Sequence, residues 1–532
     1  MDVKLVVNLD ALPVRVISNL RQERTGGNSP VCNNKKSMKK YIINPAYYLR
    51  MDGNRAILST REYYLGNSNY QDCTSHIHPF NAQLLTFFNG ENTLDEIESN
   101  IVNYFGISID SVRQILSVYI ENNDSFSIPY KNNWMFFPKN LIIDKEQIGD
   151  SSYSIYDLEN FLYKGEPDLD TVRTNIPLSA NLLLTMQCYT DCIYCYANRK
   201  IKVDKPMNLS QIISIIRQAK EIGMEKIDIN GGEVLLHPDY KKIISELIKS
   251  DFTPYISTKV PIDRELIQEL KELGVEHIQV SLDSVLPSTL STMLRVDGKK
   301  YWNNINNTIL MSGQEGLNIT IHTILTSYNS SFEEIEALLY YVSKHSHIKT
   351  LRFSPAGYSL YKIGEYNLFR SSEKFINNLE SYIENNRDHY TFEIQMSSAD
   401  CHGDYDIKKR EQDFKNRALC TANTRSIVIL PDGRVTICEE LYEYPQFIIG
   451  DLTKQSIIEV WNSEKAWSLF NFQKNSIQEK SACKQCNELS LCRQGLGVCW
   501  KIILMAYGFE NWDFPDPRCP KAPTMYNDIC LE

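Results

Sequence analysis

Helical and extended segments alternate along the middle of this chain. Between residues 178 and 355, amphipathic stretches such as LSQIISIIRQAKEIG are separated by short apolar segments such as KIDIN and HIQVSLD. Apolar residues at helical spacing that end on a glycine indicate a helix and its C-terminal end. Strands that alternate with helices pair in parallel through right-handed crossovers. The sequence therefore predicts an α/β fold here, with a parallel sheet that is either open or closed as a barrel.

The composition excludes several classes of protein. The 532 residues are 42% hydrophobic and 23% charged, as in an ordinary globular protein of several domains. No apolar run approaches the roughly 20 residues of a membrane span, and the first residues lack the apolar block of a secretory signal. A net charge of −10 argues against nucleic acid as a partner. The 14 cysteines are therefore predicted to be metal ligands or catalytic thiols in a reducing, cytoplasmic location.

A cysteine triplet follows the first predicted strand. In CYTDCIYC the thiols are Cys188, Cys192 and Cys195, directly after the strand LSANLLLT. The carboxyl end of a strand is where a βα barrel builds its chemistry. Three thiolates can bind three irons of a [4Fe–4S] cluster and leave the fourth iron open, whereas a structural metal site usually supplies four ligands. The spacing alone also fits buried cysteines or part of a zinc site.

A second motif follows the second predicted strand. In NGGEV, Gly231 and Gly232 let the backbone pass close to a ligand, and Glu233 with the glycine carbonyls can bind an ammonium group. With the triplet, this motif resembles the radical S-adenosylmethionine (SAM) superfamily over about residues 177–390. The resemblance implies a partial (β/α)6 barrel in which SAM binds the open iron of a [4Fe–4S] cluster.

The same resemblance assigns two further residues to SAM. Ser281 ends the fourth predicted strand in VSLDS, and Arg295 lies in MLRVDG. By position in the family, Ser281 and Arg295 are expected to contact SAM. Either residue alone is as consistent with a helix cap or a surface charge.

The C-terminal cysteines form another pattern. Their order, with CKQCNELSLC at its centre, resembles the SPASM extension of radical SAM peptide-modifying enzymes, which holds two auxiliary [4Fe–4S] clusters. The resemblance implies one cluster on the Cys483 group and one on the Cys420 group. The Cys483 group is Cys483, Cys486, Cys492 and Cys519, and the Cys420 group is Cys420, Cys438 and Cys499. The fourth iron of the second site is left to Cys401, to water or to a thiolate of the substrate. The spacer CRQGLGVC is wider than in many relatives.

The N-terminal region predicts a small winged helix. YIINPAYYLRMDGNRAILST predicts short strands with turns at Asn44-Pro45 and Asp52-Gly53, and three helical segments follow, one opened by a capping box of Thr93 and Glu96. No recognition helix rich in Arg or Lys is present, which argues against DNA binding. The region resembles the peptide-recognition domain of ribosomal-peptide maturases, in which a leader peptide adds a strand to the sheet edge. A purely scaffolding role is the alternative.

These predictions divide the chain into five parts. The parts are a flexible arm at 1–40, a leader-binding winged helix at 41–140, a linker at 141–176, a radical SAM partial barrel at 177–395 and a SPASM domain at 396–532. A start of translation at Met38 is also conceivable.

The resemblance implies an enzyme that uses SAM and a flavodoxin- or ferredoxin-like reductant to make a 5′-deoxyadenosyl radical. Because an auxiliary cluster can bind a thiolate and accept an electron, the predicted product is a Cys sulfur-to-carbon thioether crosslink, of sactipeptide or ranthipeptide type, in a ribosomally made precursor peptide. Three other activities remain open: carbon–carbon crosslinking, epimerisation, and a sulfatase-maturing type of oxidation. A zinc-rich peptide-binding adaptor is the non-enzymatic alternative. No nucleic acid or membrane partner is predicted.

Overall fold

A computed structural model describes most of the chain. The described residues are 39–61, 71, 73–120, 122–149, 152–198, 203–362, 364–397, 407–417 and 420–527. The predicted arm up to residue 38, including Met38, and the candidate ligand Cys401 lie outside them. The chain divides into two compact units, Met1–Asn175 and Ile176–Glu532.

The N-terminal unit contains eight strands and three helices among its described residues. The strands are β1 (Lys40–Ile43), β2 (Tyr47–Asp52), β3 (Arg55–Thr60), β4 (Thr74–Ile77), β5 (Asn89–Thr93), β6 (Phe126–Tyr130), β7 (Asn133–Phe137) and β8 (Ile142–Asp144). The helices are α1 (Pro79–Thr86), α2 (Leu94–Phe105) and α3 (Ile109–Leu116). Antiparallel pairing gives the sheet orders β5-β1-β8 and β2-β3-β4 and the hairpin β6-β7.

Local sequence signals explain where these elements begin and end. The Glu96 carboxylate accepts a hydrogen bond from the Thr93 N–H at 2.7 Å, so the capping box that opens α2 is formed. Gly106 ends the same helix in the left-handed conformation, with φ of 67°. The apolar faces of α2 and α3 are buried in one core with the strands.

Residues 141–175, predicted to be a linker, pack within the N-terminal unit. Their strand β8 pairs with β1. The Arg55 guanidinium is fully buried, is paired with Asp52 at 2.9 Å, and donates hydrogen bonds to the carbonyls of Asp168, Thr171 and Arg173. One buried cation therefore fastens the end of this segment to the hairpin β2-β3.

The C-terminal unit contains the predicted alternation of strands and helices. Its strands are β9 (Ser179–Thr185), β10 (Lys226–Gly231), β11 (Ser257–Thr258), β12 (His277–Ser281), β13 (Asn318–Leu325), β14 (Ile348–Pro355), β15 (Glu393–Met396), β16 (Ser426–Ile429), β17 (Arg434–Thr436) and β18 (Ile448–Asp451). Its helices are α4 (Leu209–Glu221), α5 (Tyr240–Lys249), α6 (Arg264–Glu272), α7 (Pro287–Leu294), α8 (Gly298–Gln314), α9 (Phe332–Ser343), α10 (Tyr366–Phe369), α11 (Glu373–Asn386), α12 (Ile407–Asn416), α13 (Ile457–Trp461), α14 (Glu464–Phe470) and α15 (Trp500–Tyr507).

The barrel strands pair in parallel, as the sequence predicts. β11 to β15 form one parallel sheet, and β10 pairs in parallel with β9. On its other side β9 pairs in parallel with β16, which continues into the antiparallel strands β17 and β18. The cysteine-rich region thus extends the sheet that carries the first barrel strand. The partial (β/α)6 barrel is confirmed, with β15 as a further parallel strand.

None of the helices in the described part of the chain combines the length and apolar character that crossing a membrane requires.

Candidate active site

The cysteine triplet lies on a loop that is held from two sides. The Asp191 and Ile193 N–H groups donate hydrogen bonds to the carbonyls of Leu294, at 3.1 Å, and Met293, at 2.9 Å, in the last turn of α7. The Lys362 ammonium donates to the carbonyls of Cys192 and Ile193, both at 3.0 Å. These bonds fix the path of the loop between its three thiols.

The two glycines of the NGGEV motif let two backbones approach each other. A Cβ on Gly231 would lie 2.2 Å from the Thr185 carbonyl oxygen, and one on Gly232 would lie 1.9 Å from that of Gln187. Gly231 also has φ of 129°, a conformation that side chains disfavour. The glycines therefore set the start of the triplet loop against the end of β10.

Glu233 connects the second and third strand ends. Its buried carboxylate accepts hydrogen bonds from the Leu235 N–H, at 3.3 Å, and the Lys259 N–H, at 3.0 Å. Burial raises the pKa of Glu233, and these backbone donors oppose the rise. The carboxylate is thus engaged with the protein backbone, and its contact with SAM stays a prediction.

A cavity of about 810 Å³ opens at the carboxyl ends of the barrel strands. The three triplet cysteines, Gly231, Gly232, Glu233 and Ser281 all line it. The structure therefore brings together seven of the eight residues that the sequence assigns to SAM and its cluster.

Arg295 is the exception. It ends α7 in the left-handed conformation and pairs with Asp191 of the triplet loop at 2.9 Å, with both side chains 58% exposed. Arg295 is absent from the residues that line the cavity in the described part of the chain. In this structure it supports the triplet loop from outside, and its contact with SAM stays a prediction.

A buried ion pair stands beside the triplet. The Asp283 carboxylate accepts hydrogen bonds from the Lys259 ammonium at 2.9 Å, the Tyr194 hydroxyl at 2.5 Å and the Ile324 N–H at 3.0 Å. Burial alone would lower the pKa of Lys259, but the Asp283 carboxylate and the Cys192 thiol outweigh it and raise the pKa. Lys259 and Tyr194 both line the cavity.

The opposite wall of the barrel is polar. His322 contacts the Ser354 hydroxyl at 2.9 Å, and the Arg352 Nε donates to the Gln395 side-chain oxygen at 3.0 Å. Burial lowers the pKa of His322 to about 4, so this imidazole is neutral near pH 7. These side chains leave a wall of hydrogen-bonding groups on β13 and β14 that suits a polar ligand such as SAM.

The remaining wall comes from the cysteine-rich region. Glu439, Glu440 and Lys501 line the same cavity, and the Lys501 ammonium pairs with Glu440 at 2.7 Å. The Asn181 side chain of β9 donates to Glu439 at 2.7 Å. Glu439 and Glu440 directly follow Cys438, and Lys501 lies two residues after Cys499. The cavity therefore extends from the triplet to the neighbours of the Cys420 group.

The Cys483 group is surrounded by cationic side chains. Arg493 donates to the Cys483 sulfur, Arg417 to the Cys492 sulfur and Lys521 to the Cys486 sulfur, each at 3.5 Å. The Lys521 N–H also donates to the Cys519 sulfur at 3.4 Å. Burial raises the pKa of Cys519 to about 11, and the nearby thiols Cys492 and Cys483 add to the rise. The four predicted ligands thus lie in one neighbourhood.

The Cys420 group also comes together. Burial raises the pKa of Cys438 to about 12 with a further contribution from Cys499, and that of Cys499 to about 12 with one from Cys420. Buried thiols that hinder one another's ionisation are stabilised as thiolates by a metal cation. No disulfide joins any of the cysteines in the described part of the chain. The thiols of each group influence one another's ionisation, and which of them bind an iron–sulfur cluster stays a prediction.

Sequence reasoning missed several residues of the cavity. Lys259 follows the Ser257-Thr258 strand end, and Glu439 follows a predicted ligand, so their positions beside recognised residues were available signals. His322 and Arg352 carried no such signal, because nothing local shows which strand residues point into a barrel when both faces are covered.

Comparison with known proteins agrees with this site. Residues 182–342 match the family described as the radical SAM superfamily, and residues 420–487 match SPASM, described as an iron–sulfur cluster-binding domain. A probable GTP 3′,8-cyclase of Methanothermobacter marburgensis is 29% identical over 121 residues, which are 23% of this chain and 40% of that protein. The chain spans between 35% and 55% of the length of the curated relatives it matches.

Two solved structures share the fold over most of the chain. SuiB of Streptococcus suis bound to S-adenosylmethionine has a TM-score of 0.56 at 14% identity, covering 90% of this chain and 99% of SuiB. SuiB bound to precursor peptide SuiA has a TM-score of 0.55 at 13% identity, covering 90% and 98%.

The chain therefore carries a radical SAM domain followed by a SPASM domain. The cofactors of these two domains are SAM with its [4Fe–4S] cluster and auxiliary iron–sulfur clusters.

Proposed function

We propose that this protein modifies a ribosomally made, Cys-containing precursor peptide and joins a Cys sulfur to a carbon atom as a thioether. The proposal rests on one observation: the same cavity is lined by the triplet cysteines and by Glu439, Glu440 and Lys501. A peptide segment in this cavity lies beside the SAM site and beside the neighbours of the Cys420 group. That group has three predicted ligands among the described residues.

The atoms and electrons of this reaction balance with the parts that the chain carries. The peptide loses one C–H bond and one S–H bond and gains one C–S bond. SAM and its cluster supply the abstraction of a hydrogen atom from an unactivated carbon when they are bound. The thiol proton is released to water, and one electron leaves the peptide for an auxiliary cluster. A flavodoxin- or ferredoxin-like reductant supplies the electron that each SAM cleavage consumes.

The residues of the chain position and shield this chemistry. Gly231 and Gly232 set the triplet loop against β10, and Glu233 fixes the ends of the second and third strands. The pair Lys259–Asp283 fills the space beside Cys192 with a neutralised charge.

The N-terminal unit is proposed to bind the leader of the precursor peptide. The fold shared with SuiB, which has been solved with precursor peptide SuiA, supports a peptide substrate. In the described structure the Phe136 N–H of β7 donates to the Ser75 hydroxyl of β4 at 3.0 Å, and the Leu49 N–H of β2 donates to the Tyr156 hydroxyl at 3.1 Å. A leader strand added to either edge of β2-β3-β4 would therefore replace one of these contacts.

The test is mass spectrometry of a short Cys-containing precursor peptide encoded nearby, after co-expression with this protein. A thioether removes two hydrogen atoms and leaves the cysteine unreactive toward iodoacetamide. Carbon–carbon crosslinking removes the same two hydrogens but leaves the thiol reactive, epimerisation changes mass only through deuterium uptake in D2O, and a sulfatase-maturing type of oxidation removes the cysteine sulfur. A reactive thiol in every modified product would refute the thioether proposal.

Substitution of the triplet tests the radical chemistry separately. Cys188, Cys192 and Cys195 changed together to Ala should abolish 5′-deoxyadenosine formation and remove the iron of that site, while the C-terminal clusters remain. Cys73→Ala is the matched control, because this cysteine lies in the N-terminal unit. SAM cleavage at the wild-type rate in the triple variant would exclude the radical assignment.

A cytoplasmic location belongs to the same proposal, because exposed clusters need a reducing compartment.

The open position of the Cys420 group is tested at Cys401, which lies outside the described residues. If a substrate thiolate completes that site, Cys401→Ala retains iron and thioether formation, and addition of the Cys-containing peptide changes the spectrum of the auxiliary cluster. Loss of iron and activity, with no spectral response to the peptide, would instead make Cys401 a ligand.

A further inference from the structure

Arg493 is a buried arginine within the cysteine-rich region. It is 6% exposed, and it directly follows Cys492 in the spacer CRQGLGVC. That spacer forms a π-helical turn, Leu491–Leu496, a geometry that recurs at functional sites. The turn thus holds a charged side chain inside the protein, beside a predicted cluster ligand.

The charge of Arg493 is only partly satisfied by the protein. Its Nη2 donates to the Phe514 carbonyl at 2.9 Å and approaches the Asp513 carbonyl and the Cys483 sulfur, both at 3.5 Å. Its Nε and Nη1 are buried without a hydrogen-bond partner among the described residues. Leaving an arginine in this state is costly unless an anion faces it.

The surroundings of Arg493 supply aromatic faces rather than a carboxylate. The guanidinium carbon lies 4.8 Å from the centre of the Trp500 ring and 5.4 Å from that of Phe472. In the described residues no acidic side chain forms an ion pair with it. Asp516, an acidic residue near the same thiols, is itself paired with Arg518 at 3.0 Å. The anion that Arg493 lacks is thus not a side chain of the described chain.

Both cysteine groups adjoin Arg493. It contacts Cys483 directly, and it lines a small cavity together with Cys420. A [4Fe–4S] cluster with four thiolate ligands carries net negative charge, and its reduction potential depends on nearby charges and on hydrogen bonds to its sulfurs. A buried cation stabilises the reduced, more negative state more than the oxidised state.

We propose that Arg493 is the buried counter-charge of the auxiliary cluster on the Cys483 group. Arg493 raises the reduction potential of that cluster, which makes the cluster a better electron acceptor than it would be without this charge. This role does not depend on which bond the enzyme forms, so it stands or falls separately from the thioether proposal. In this role Arg493 affects the reaction only through the reduction potential of the cluster, so it is a positioning residue and not a catalytic one.

The test uses the full chain with the triplet cysteines changed to Ala, so that only auxiliary clusters give signals. Arg493→Met removes the charge but keeps an unbranched side chain between the two aromatic rings, whereas Arg493→Lys keeps the charge. Arg434→Met is the control at an exposed arginine paired with Asp432. Each protein is assayed for iron and titrated potentiometrically with detection by electron paramagnetic resonance.

We expect Arg493→Met to lower the reduced-to-oxidised ratio of one auxiliary cluster at least about tenfold at the parent protein's midpoint, a shift of about 59 mV for one electron. Arg493→Lys and Arg434→Met should titrate close to the parent. An unshifted midpoint in Arg493→Met at full iron content would overturn the proposal, as would equal shifts in the Met and Lys variants. If Arg493→Met loses the cluster, the iron content of the other variants decides. Arg493→Gln is then added as a second neutral variant. Retention of the cluster in Arg493→Lys with its loss in Arg493→Gln supports a counter-charge. Loss of the cluster in the Met, Lys and Gln variants alike shows a packing role.

Discussion

The buried pair Lys259–Asp283 makes a quantitative prediction. Replacing Asp283 by Asn removes its charge at nearly constant shape and leaves the Lys259 ammonium buried without a counter-ion. The Asp283 side chain is fully buried, and the Lys259 side chain is 15% exposed. At 2.9 Å and an effective dielectric constant of about 20, the lost attraction is about 6 kcal/mol. Measured losses from removing one partner of a buried pair are about 3–5 kcal/mol, which is the expected effect.

The assay is thermal unfolding followed by circular dichroism under anaerobic conditions. For a unit as large as Ile176–Glu532, each kcal/mol lowers the melting temperature by about 2 °C, so Asp283→Asn should melt roughly 6–10 °C below wild type. Asp251→Asn is the matched control, because its partner Lys220 is 49% and Asp251 79% exposed. An exposed pair contributes less than about 1 kcal/mol.

The pH dependence gives an independent check. With Asp283 present the pKa of Lys259 is raised, so its stabilising charge is retained below the unfolded pKa and lost only above the folded pKa. In Asp283→Asn we expect burial to outweigh the remaining contributions of Cys192 and Cys188, so that the folded pKa falls below the unfolded one. The unfolded chain then binds more protons, so the stability of the variant should recover, relative to wild type, as the pH rises from neutral toward the ordinary lysine pKa.

A double variant provides the refuting result. Lys259→Met combined with Asp283→Asn removes both charges, and the amide oxygen introduced at position 283 can keep one of the two hydrogen bonds that Tyr194 and Ile324 donate to different oxygens of Asp283. Its melting temperature should return to within a few degrees of wild type. The reasoning is wrong if Asp283→Asn melts like Asp251→Asn, or if the double variant is no more stable than the single one.

Three further predictions use other features. Gly232→Ala should lose SAM cleavage and the iron of the triplet site, because its Cβ would lie 1.9 Å from a backbone oxygen. Gly495→Ala is the control and should lose neither, because no atom lies within 4 Å of its added Cβ. The measurements are an anaerobic iron assay and the yield of 5′-deoxyadenosine. Arg55→Met should speed amide exchange across residues 168–173, and slow exchange there would contradict the anchoring role. Deletion of residues 1–175 should spare SAM cleavage by dithionite-reduced enzyme but abolish modification of leader-bearing peptide, because the tether raises local concentration; unchanged modification would exclude leader binding.

The sequence predicted the parts of the site that depend on spacing along the chain. The triplet follows a strand, and the NGGEV motif and Ser281 lie at the ends of two others. Parallel strands bring their carboxyl ends to one edge, so these residues meet in the cavity. Arg295 is placed differently. It ends α7 in the left-handed conformation, which directs its side chain to Asp191 on the exposed side of the loop, and sequence spacing does not reveal that conformation.

Tertiary contacts account for what the sequence did not predict. Residues 141–175 look like a linker because they are polar and short of periodicity, yet the buried Arg55 binds three of their carbonyls. A deletion ending at residue 140 would leave β8 without β1, so the cut belongs after Asn175. Arg493 is likewise a charged side chain, which local sequence alone would place at the surface. In the structure it is buried against two aromatic rings.

The two C-terminal cysteine groups differ in the charges around them, and this difference sets a direction for electron transfer. Arg493, Arg417 and Lys521 donate to sulfurs of the Cys483 group. The Cys420 group instead adjoins the acidic residues Glu439 and Glu440, of which Glu440 is paired with Lys501. Positive charge lowers the free energy of an added electron and negative charge raises it.

If clusters occupy both groups, an electron released in the cavity would reach the Cys420 group first, because the neighbours of that group line the cavity, and it would have its lowest free energy on the Cys483 group. The expected titration of the protein without its triplet cysteines is therefore two steps, the higher potential belonging to the Cys483 group. Cys486→Ser should alter the higher step and Cys420→Ser the lower one. If Cys420→Ser alters the higher step instead, the charges around the cysteines do not set the order, and electrons would remain next to the substrate.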